Sequence, residues 1–514
     1  MAGFDPAGSR DEDRAAGMEP LGCIVRGYIL RVQLGNWVRV EYTVGYPDGG
    51  VRVNTIRNIW SIPDLRKRIL FTLGCLAVYR LGSHVPTPGI NAELLQQFFE
   101  DYQGTMLGFM DIFSGGNFRR LTIFALGVMP YITASIILQL LTPVWPYLDR
   151  LNKEGEMGRQ KITTYTRYLT VGLSMVQGFG IALTLQRQSF QGTSFVLTPG
   201  PLFILTTVVT LTTGSVFIMW LGEQITQRGI GEGMSLLIFA GIVVGLPSAI
   251  TELYQRVFVT GQWNFAQLLM LLALMIAAVG FIVLVERGER RVNVQYASRM
   301  MGRRAVGGQS THMPIRVNAG GVMPVIFASS ILTFPQTMAL MGSQQSPTFQ
   351  GLFQALSWGE PLYTLLYVTG IIFFAYFYVS IIFNPSDIAD NIRKHGGFIP
   401  GIRPGKNTAE YLNAILTRLT LVGGCYLALV SLVPEWMISG IHLHHLPFVG
   451  GWIDQAFPRS ILDGLGVSFY FGGTSLLIVV GVAMDTVSKV EAQLVMRHYE
   501  GFAPGVGRIR GRRG

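Results

Sequence analysis

The sequence predicts an all-α polytopic membrane protein of about ten transmembrane helices in two pseudo-symmetric five-helix halves. Composition is the first ground. Of 514 residues, 49% are hydrophobic and only 14% charged, with a mean hydropathy of +0.39, too apolar for an ordinary soluble chain. The second is that apolar residues fall into runs of roughly twenty, the length that crosses about 30 Å of hydrocarbon. The third is the placement of the net charge of +10. It gathers between alternate runs, as the positive-inside rule requires.

In order, the runs are Arg66 to Pro86 (interrupted by Arg80), Arg120 to Leu141, Tyr168 to Leu185, Pro201 to Leu221 and Met234 to Ile250. Phe265 to Val285, Val322 to Met341, Pro361 to Phe383, Leu412 to Val433 and Val467 to Met484 follow. With the N-terminus inside, the inner loops carry Arg66, Lys67 and Arg68, then Arg150 to Arg167, Arg228, Arg287 to Arg316, Arg393 to Lys406, and the tail. Outer loops hold little beyond Arg187, Arg256, Arg459 and the Arg119/Arg120 pair. Both termini are therefore expected in the cytoplasm.

The long basic loop after Val285 splits the spans evenly, and inverted halves with the working site between them are common in transport folds. Residues 56–250 read as the N-terminal half and 251–490 as the C-terminal half, with cytoplasmic loops at 286–320 and 384–410 and a basic tail at 491–514. Residues 1–55 stand apart. Tyr28 to Val32 and Val38 to Tyr42 alternate like strands before the turn signal Tyr46 to Gly50. Two short strands bury too little to fold alone, so a disordered or mis-started extension is expected, with a small cytoplasmic appendage as the other reading. No cleavable signal peptide is legible. Cys23, Cys75 and Cys425 lack metal spacing and read as small hydrophobes.

The second run is not built like an anchor. Ser114-Gly115-Gly116 and then Arg119-Arg120 lead into it. In lipid, irregular backbone is tolerable only inside protein or beside a water-filled cavity, so this segment reads as part of a pore. A pump would place ionisable groups at mid-membrane, and apart from Arg80 the runs offer almost none. A secondary transporter of small solutes stays as the alternative. An enzyme reading finds no catalytic cluster, and no cofactor is implied. His442, His444 and His445 lack a partner carboxylate at ligand spacing, and a closed metal site wants about four ligands. Gly229-Ile230-Gly231-Glu232-Gly233 has no following Lys-Ser/Thr and reads as a tight turn between spans. The two long basic loops suit RNA phosphates or acidic protein surfaces.

Phe113-Ser114-Gly115-Gly116, Ile123 to Gly127, Met129-Pro130-Tyr131-Ile132 and Gln139-Leu140-Leu141 resemble the signature of the SecY family of protein-translocation channels. So do Trp220 to Thr226, Val285 to Gly288, Ile326 to Ser330, Pro400 to Gly405, Thr417 to Gly423 and Tyr470 to Val479. Such matches run in order from about Ile62 to Glu500 and leave out only the first fifty-odd residues.

That resemblance implies a channel conducting unfolded secretory polypeptides across the cytoplasmic membrane and releasing membrane proteins sideways into lipid. It implies drive by SecA or the ribosome, a heterotrimer with SecE and SecG, and signal-sequence-bearing polypeptides and membrane lipids as further partners. Met106 to Phe118 matches the family's plug, including Met110, Phe113, Ser114, Gly115 and Gly116. Val128, Ile132, Met234, Ile238, Ile326 and Ile478 match its aliphatic pore ring. The family favours isoleucine there, so Val128 and Met234 depart from it. An aliphatic constriction dewets and blocks ions while giving an extended peptide nothing to stick to. Thr133 and Gln139 on the second span, with Ser330 and Phe334 on the seventh, match the lateral gate, where polar groups are expected to pair across the closed seam. Arg290, Arg291 and Arg403 match positions that contact SecA or the ribosome.

Overall fold

The computed structural model describes residues 62–101, 111, 114–187, 189–190, 193–261, 264–296, 299–301, 304–306, 310–342, 360–439 and 473–502. All of them belong to the unit Asn54–Gly514. The extension at 1–55, Met110 and Phe113, His442, His444 and His445, the start of the last run and the tail beyond Phe502 lie outside the described residues, as does the side chain of Phe334.

Every expected run meets a helix. In the first half these are α1 (Pro63–Gly82), α2 (Ala92–Asp101), α3 (Met129–Leu141), α4 (Pro146–Lys153), α5 (Glu156–Arg187), α6 (Pro201–Arg228), α7 (Gly233–Val244) and α8 (Leu246–Tyr254). The second half has α9 (Phe265–Glu286), α10 (Met323–Gly342), α11 (Pro361–Ile382), α12 (Pro385–Lys394), α13 (Lys406–Ser439) and α14 (Gly473–Phe502). Proline stands in the first turn of α1, α3, α4, α6, α11 and α12. Its missing N–H costs nothing there, and its fixed φ pre-sets the helix.

Among the described residues six helices are long and apolar enough to cross a membrane, or seven if the bent pair α3–α4 is one span. The protein is a multi-pass membrane protein. The remaining expected spans fall on α1, α10 and α14. Asp64, Arg66, Lys67, Arg68 and Arg80 raise the charge of α1, the apolar stretch described in α10 covers only Met323–Leu332, and α14 turns polar after Met484.

The second run departs from expectation. Its helix begins at Met129, not Arg120, because Leu121 and Gly127 take left-handed φ values of 37° and 56°. The non-helical stretch finds its partners elsewhere: Ile123 N–H donates to Val85 O at 3.0 Å and Thr87 N–H to Leu121 O at 2.9 Å. At the far end α3 meets α4 at 96°. The helix α2 was not anticipated, although Leu94, Leu95, Phe98 and Phe99 give it one apolar face. With Phe118, Leu121, Phe195 and Phe203 they build a separate core at the end of the bundle that holds the 83–91 and 114–128 segments.

A short hairpin, β1 (Ser189–Phe190) with β2 (Thr193–Ser194), follows α5, and the basic loops are ordered too. β3 (Glu289–Tyr296) pairs antiparallel with β6 (Ser310–Arg316), which follows the small β4–β5 hairpin (Arg299–Met301 with Arg304–Val306). On its other edge β3 pairs with β7 (Gly397–Phe398), from the second basic loop. Val292 and Ile315 bury one face of this sheet against Val379, Ile399, Leu412, Ile415 and Leu416. The all-α reading holds for the membrane region, with a small sheet added outside it.

The two halves meet where α3 and α5 pack on α10 and α7 packs on α14. Within the first half, Arg167 on α5 makes a bidentate pair with Glu223 on α6 at 2.9 and 2.8 Å. The turn from α6 to α7 is the expected tight one: Gly231 has φ 92°, and Thr72 Oγ1 of α1 accepts the Ile230 N–H at 3.1 Å. Gly233 lies so close to α6 that a β-carbon on it would run into the Gly222 carbonyl. Gly233→Ala is therefore expected to cost about 1–3 kcal/mol through overpacking. A lowered thermal midpoint in lipid nanodiscs measures it; an unchanged midpoint would mean that the turn is free to shift.

Candidate functional site

The candidate pore residues converge. Val128 caps α3, and Ile132 follows one turn later on the same face, its N–H bonded to the Val128 carbonyl at 3.1 Å. Met234 and Ile238 repeat that spacing of four on α7, while Ile326 comes from α10 and Ile478 from α14. All six are buried, and all belong to one hydrophobic cluster drawn from both halves. Met234 is also committed to α6, because its sulfur fills the notch left by Gly222.

Beside this cluster sits the segment around Ser114. Gly115 has φ 75°, a conformation favouring glycine. A β-carbon there would stand 2.7 Å from Gly241 Cα on α7. Gly241 lies three residues beyond Ile238, about 4.5 Å further along the helix and away from the α6–α7 turn. The glycine-bearing segment thus rests on the same helix as the candidate ring, one turn past it.

Polar bonds fix the segment internally. The buried carboxylate of Asp111 accepts the N–H groups of Phe118 and Arg119 on Oδ1, at 3.1 and 2.9 Å. Its backbone carbonyl takes the Ser114 hydroxyl at 3.0 Å and the Gly116 N–H at 2.8 Å. From α1, the Tyr79 hydroxyl donates to Ser114 O at 3.3 Å. Asn117 Nδ2 donates both to Ser114 O at 2.6 Å and to Tyr79 Oη at 3.3 Å. Tyr79, Asp111 and Asn117 were not singled out in the sequence. A hydroxyl inside an apolar run and two short polar residues flanking Ser-Gly-Gly were the available signals.

The seam between α3 and α10 is closed differently from expectation. Thr133 donates to its own helix, to Met129 O at 3.0 Å, and Gln139 reaches back to Ser135 Oγ at 3.0 Å. Neither bond crosses the seam, and among the described residues the buried Ser330 hydroxyl has no hydrogen-bond partner. Short polar side chains on a helix have the i−4 carbonyl or side chain always within reach, so they satisfy themselves before they reach a neighbour. Among the described residues, the bonds of Thr133 and Gln139 stay within α3.

On the basic loops, Arg290 and Arg291 lie on β3, opposite Ile315 and Pro314. Arg291 is exposed and pairs with Glu289 at 2.8 Å. Arg403 is exposed, and its carbonyl accepts the Thr408 hydroxyl at 3.0 Å. The sheet thus gathers the two loops on one end of the second half. Among the described residues no three His, Cys, Asp or Glu side chains come together as metal ligands.

Residues 122–487 match the family model SecY. The Protein translocase subunit SecY of Escherichia coli (strain K12) is 47% identical over 443 residues, covering 86% of this chain and 94% of that protein. Among solved structures, one described as the structure of a protein-conducting channel superposes with a TM-score of 0.59 at 17% identity, covering 87% of this chain and 99% of that one. Sec61 in the canine ribosome–channel complex from the endoplasmic reticulum gives 0.55 at 16% identity, with coverage of 87% and 99%.

Gly115→Ala is expected to unseat the Ser114 segment from α7, since it adds left-handed strain of about 1–2 kcal/mol to the close approach. Amide exchange of residues 114–118, followed by mass spectrometry, should then quicken roughly tenfold. Unchanged exchange would show that the glycine contact does not hold the segment.

Proposed function

The chain belongs to the SecY family, and from that membership and its geometry we propose how it works. It is a protein-conducting channel that moves unfolded secretory polypeptides across the cytoplasmic membrane and releases membrane proteins sideways into lipid. The observation that carries the mechanism is the buried aliphatic cluster fed by α3, α7, α10 and α14, with a glycine segment seated one turn past it on α7.

Val128, Ile132, Ile238, Ile326 and Ile478 form the constriction, with Met234 a member anchored to α6. Lacking polar groups, they exclude hydrated ions at rest and part for a peptide without binding it. Residues 106–118 are the plug, and Ser114, Gly115 and Gly116 seat it. The lateral gate is the α3–α10 seam, lined by Thr133, Gln139, Ser330 and Phe334. Self-satisfied polar groups and an orphaned hydroxyl make a closed state that an apolar signal helix can outcompete, because a buried unpaired hydroxyl costs about 1–3 kcal/mol.

Both termini face the cytoplasm, and the β3–β6–β7 sheet projects there. Arg290, Arg291 and Arg403 dock SecA or the ribosome, a role that arginine forks suit for carboxylate and phosphate alike. The proposed energy source is that partner. SecE and SecG complete the complex, and the chain itself carries no catalytic role.

The test is ATP-dependent import of an unfolded precursor into proteoliposomes holding the complete complex and SecA. Import is expected; uptake of a small solute with no import would favour the secondary-transporter reading. Ile478→Asn should let precursors with defective signals pass roughly tenfold more readily, since 1.4 kcal/mol off the closed state is a factor of ten. Equal relaxation from Asn at a lipid-facing position such as Leu421 would place the constriction elsewhere.

A further inference from the structure

We propose that Tyr79 and Asn117 form a latch that holds the plug shut, with Tyr79 acting as a positioning residue for the closed channel. The inference rests on the reading of 106–118 as the plug.

Its geometry is a closed triangle of hydrogen bonds. Asn117 Nδ2 donates to Ser114 O and to Tyr79 Oη, and the Tyr79 hydroxyl donates to Ser114 O. Tyr79 and Asn117 are 2% and 1% exposed, so water does not compete for these bonds while the plug is seated. The latch also has two sides that separate cleanly. Tyr79 belongs to α1 and is fixed by stacking on Phe124 at 5.8 Å, which in turn stacks on Phe217 of α6 at 5.9 Å. Ser114 and Asn117 belong to the segment that leaves. Asp111 braces that side, because its carboxylate fixes the turn through Phe118 and Arg119 that presents Asn117.

The chemistry sets the latch's strength. When the plug leaves, Ser114 O and the Asn117 amide pass into water and recover their hydrogen bonds, so breaking the triangle costs a net amount, not its gross energy. Such a latch resists spontaneous opening yet yields to an arriving polypeptide. Loss of one member should raise the open fraction about threefold to tenfold.

Tyr79→Phe removes the hydroxyl and keeps the ring stacked on Phe124. Asn117→Ala removes the Asn117–Tyr79 bond from the plug side, keeps the Tyr79–Ser114 bond and leaves α1 untouched. In planar bilayers, the complete channel bearing either variant should show resting conductance about threefold to tenfold above the parent. The double variant should add little to Tyr79→Phe alone, which already loses both bonds between α1 and the plug. Precursor import by the same preparations should persist. Parental conductance in Tyr79→Phe, alongside raised conductance on deletion of 106–118, would overturn the latch and leave the plug standing. Parental conductance in the deletion as well would remove the plug reading and the latch with it. Additive effects in the double variant, or leakage accompanied by lost import and poor assembly, would mean loosened packing and overturn the latch too.

Discussion

A membrane interior offers no water to an unpaired backbone group, and that constraint shapes this molecule wherever its chain is not helical. Helices meet it internally. The stretches 83–91 and 114–128 cannot, so they borrow partners from each other and from side chains. Val85 and Thr87 exchange bonds with Ile123 and Leu121, Asp111 turns its carboxylate onto two N–H groups, and Ser114 O is met by Tyr79 and Asn117. Phe99, Phe118 and Phe195 are buried with Leu121 in one cluster beside this region.

The same constraint explains how the apolar cluster and the segment above it coexist. A ring of aliphatic side chains asks nothing of its surroundings in hydrogen bonds, so four helices can present it without compensation. The Ser114 segment, not being helical throughout, needs partners for its backbone from outside itself. Glycine at 115 permits the close approach to Gly241, and the polar triangle supplies the pairing. The closed seam follows similar logic. Thr133 and Gln139 bond within α3, so parting α3 from α10 breaks packing and no hydrogen bond of theirs.

Much of this was legible in the residues, and the exceptions have physical reasons. Runs of apolar residues located the spans because a twenty-residue helix is the simplest way for a chain to cross lipid. The start of α3 was misplaced by nine residues since hydropathy does not register a left-handed Leu121. The helix α2 escaped notice because it is short, although its Leu-Leu and Phe-Phe pairs lie four apart. The sheet was read as loop, yet Val292 and Val294 alternate with polar neighbours as a half-buried strand should. What no pattern could give is β7: a two-residue strand owes its existence to a partner about a hundred positions earlier. Tyr79 was hidden for the same reason, its meaning residing in Ser114, thirty-five residues away.

The sheet makes the basic loops of the second half into a bracket. β3 leaves α9 after two residues, β6 leads into α10, and β7 lies between α12 and α13, while Asn318 bridges to Glu286 at 2.6 Å. The helices α9, α10, α12 and α13 are thereby strapped together at one end. A load applied to any one strand is shared by all of them, so the second half responds as a stiff lever and not as separate rods. Displacement concentrates where no strap exists, at the junctions of α10 with α3 and α5 and of α14 with α7. A pull on the basic hairpin therefore reaches those junctions as one movement of the strapped helices.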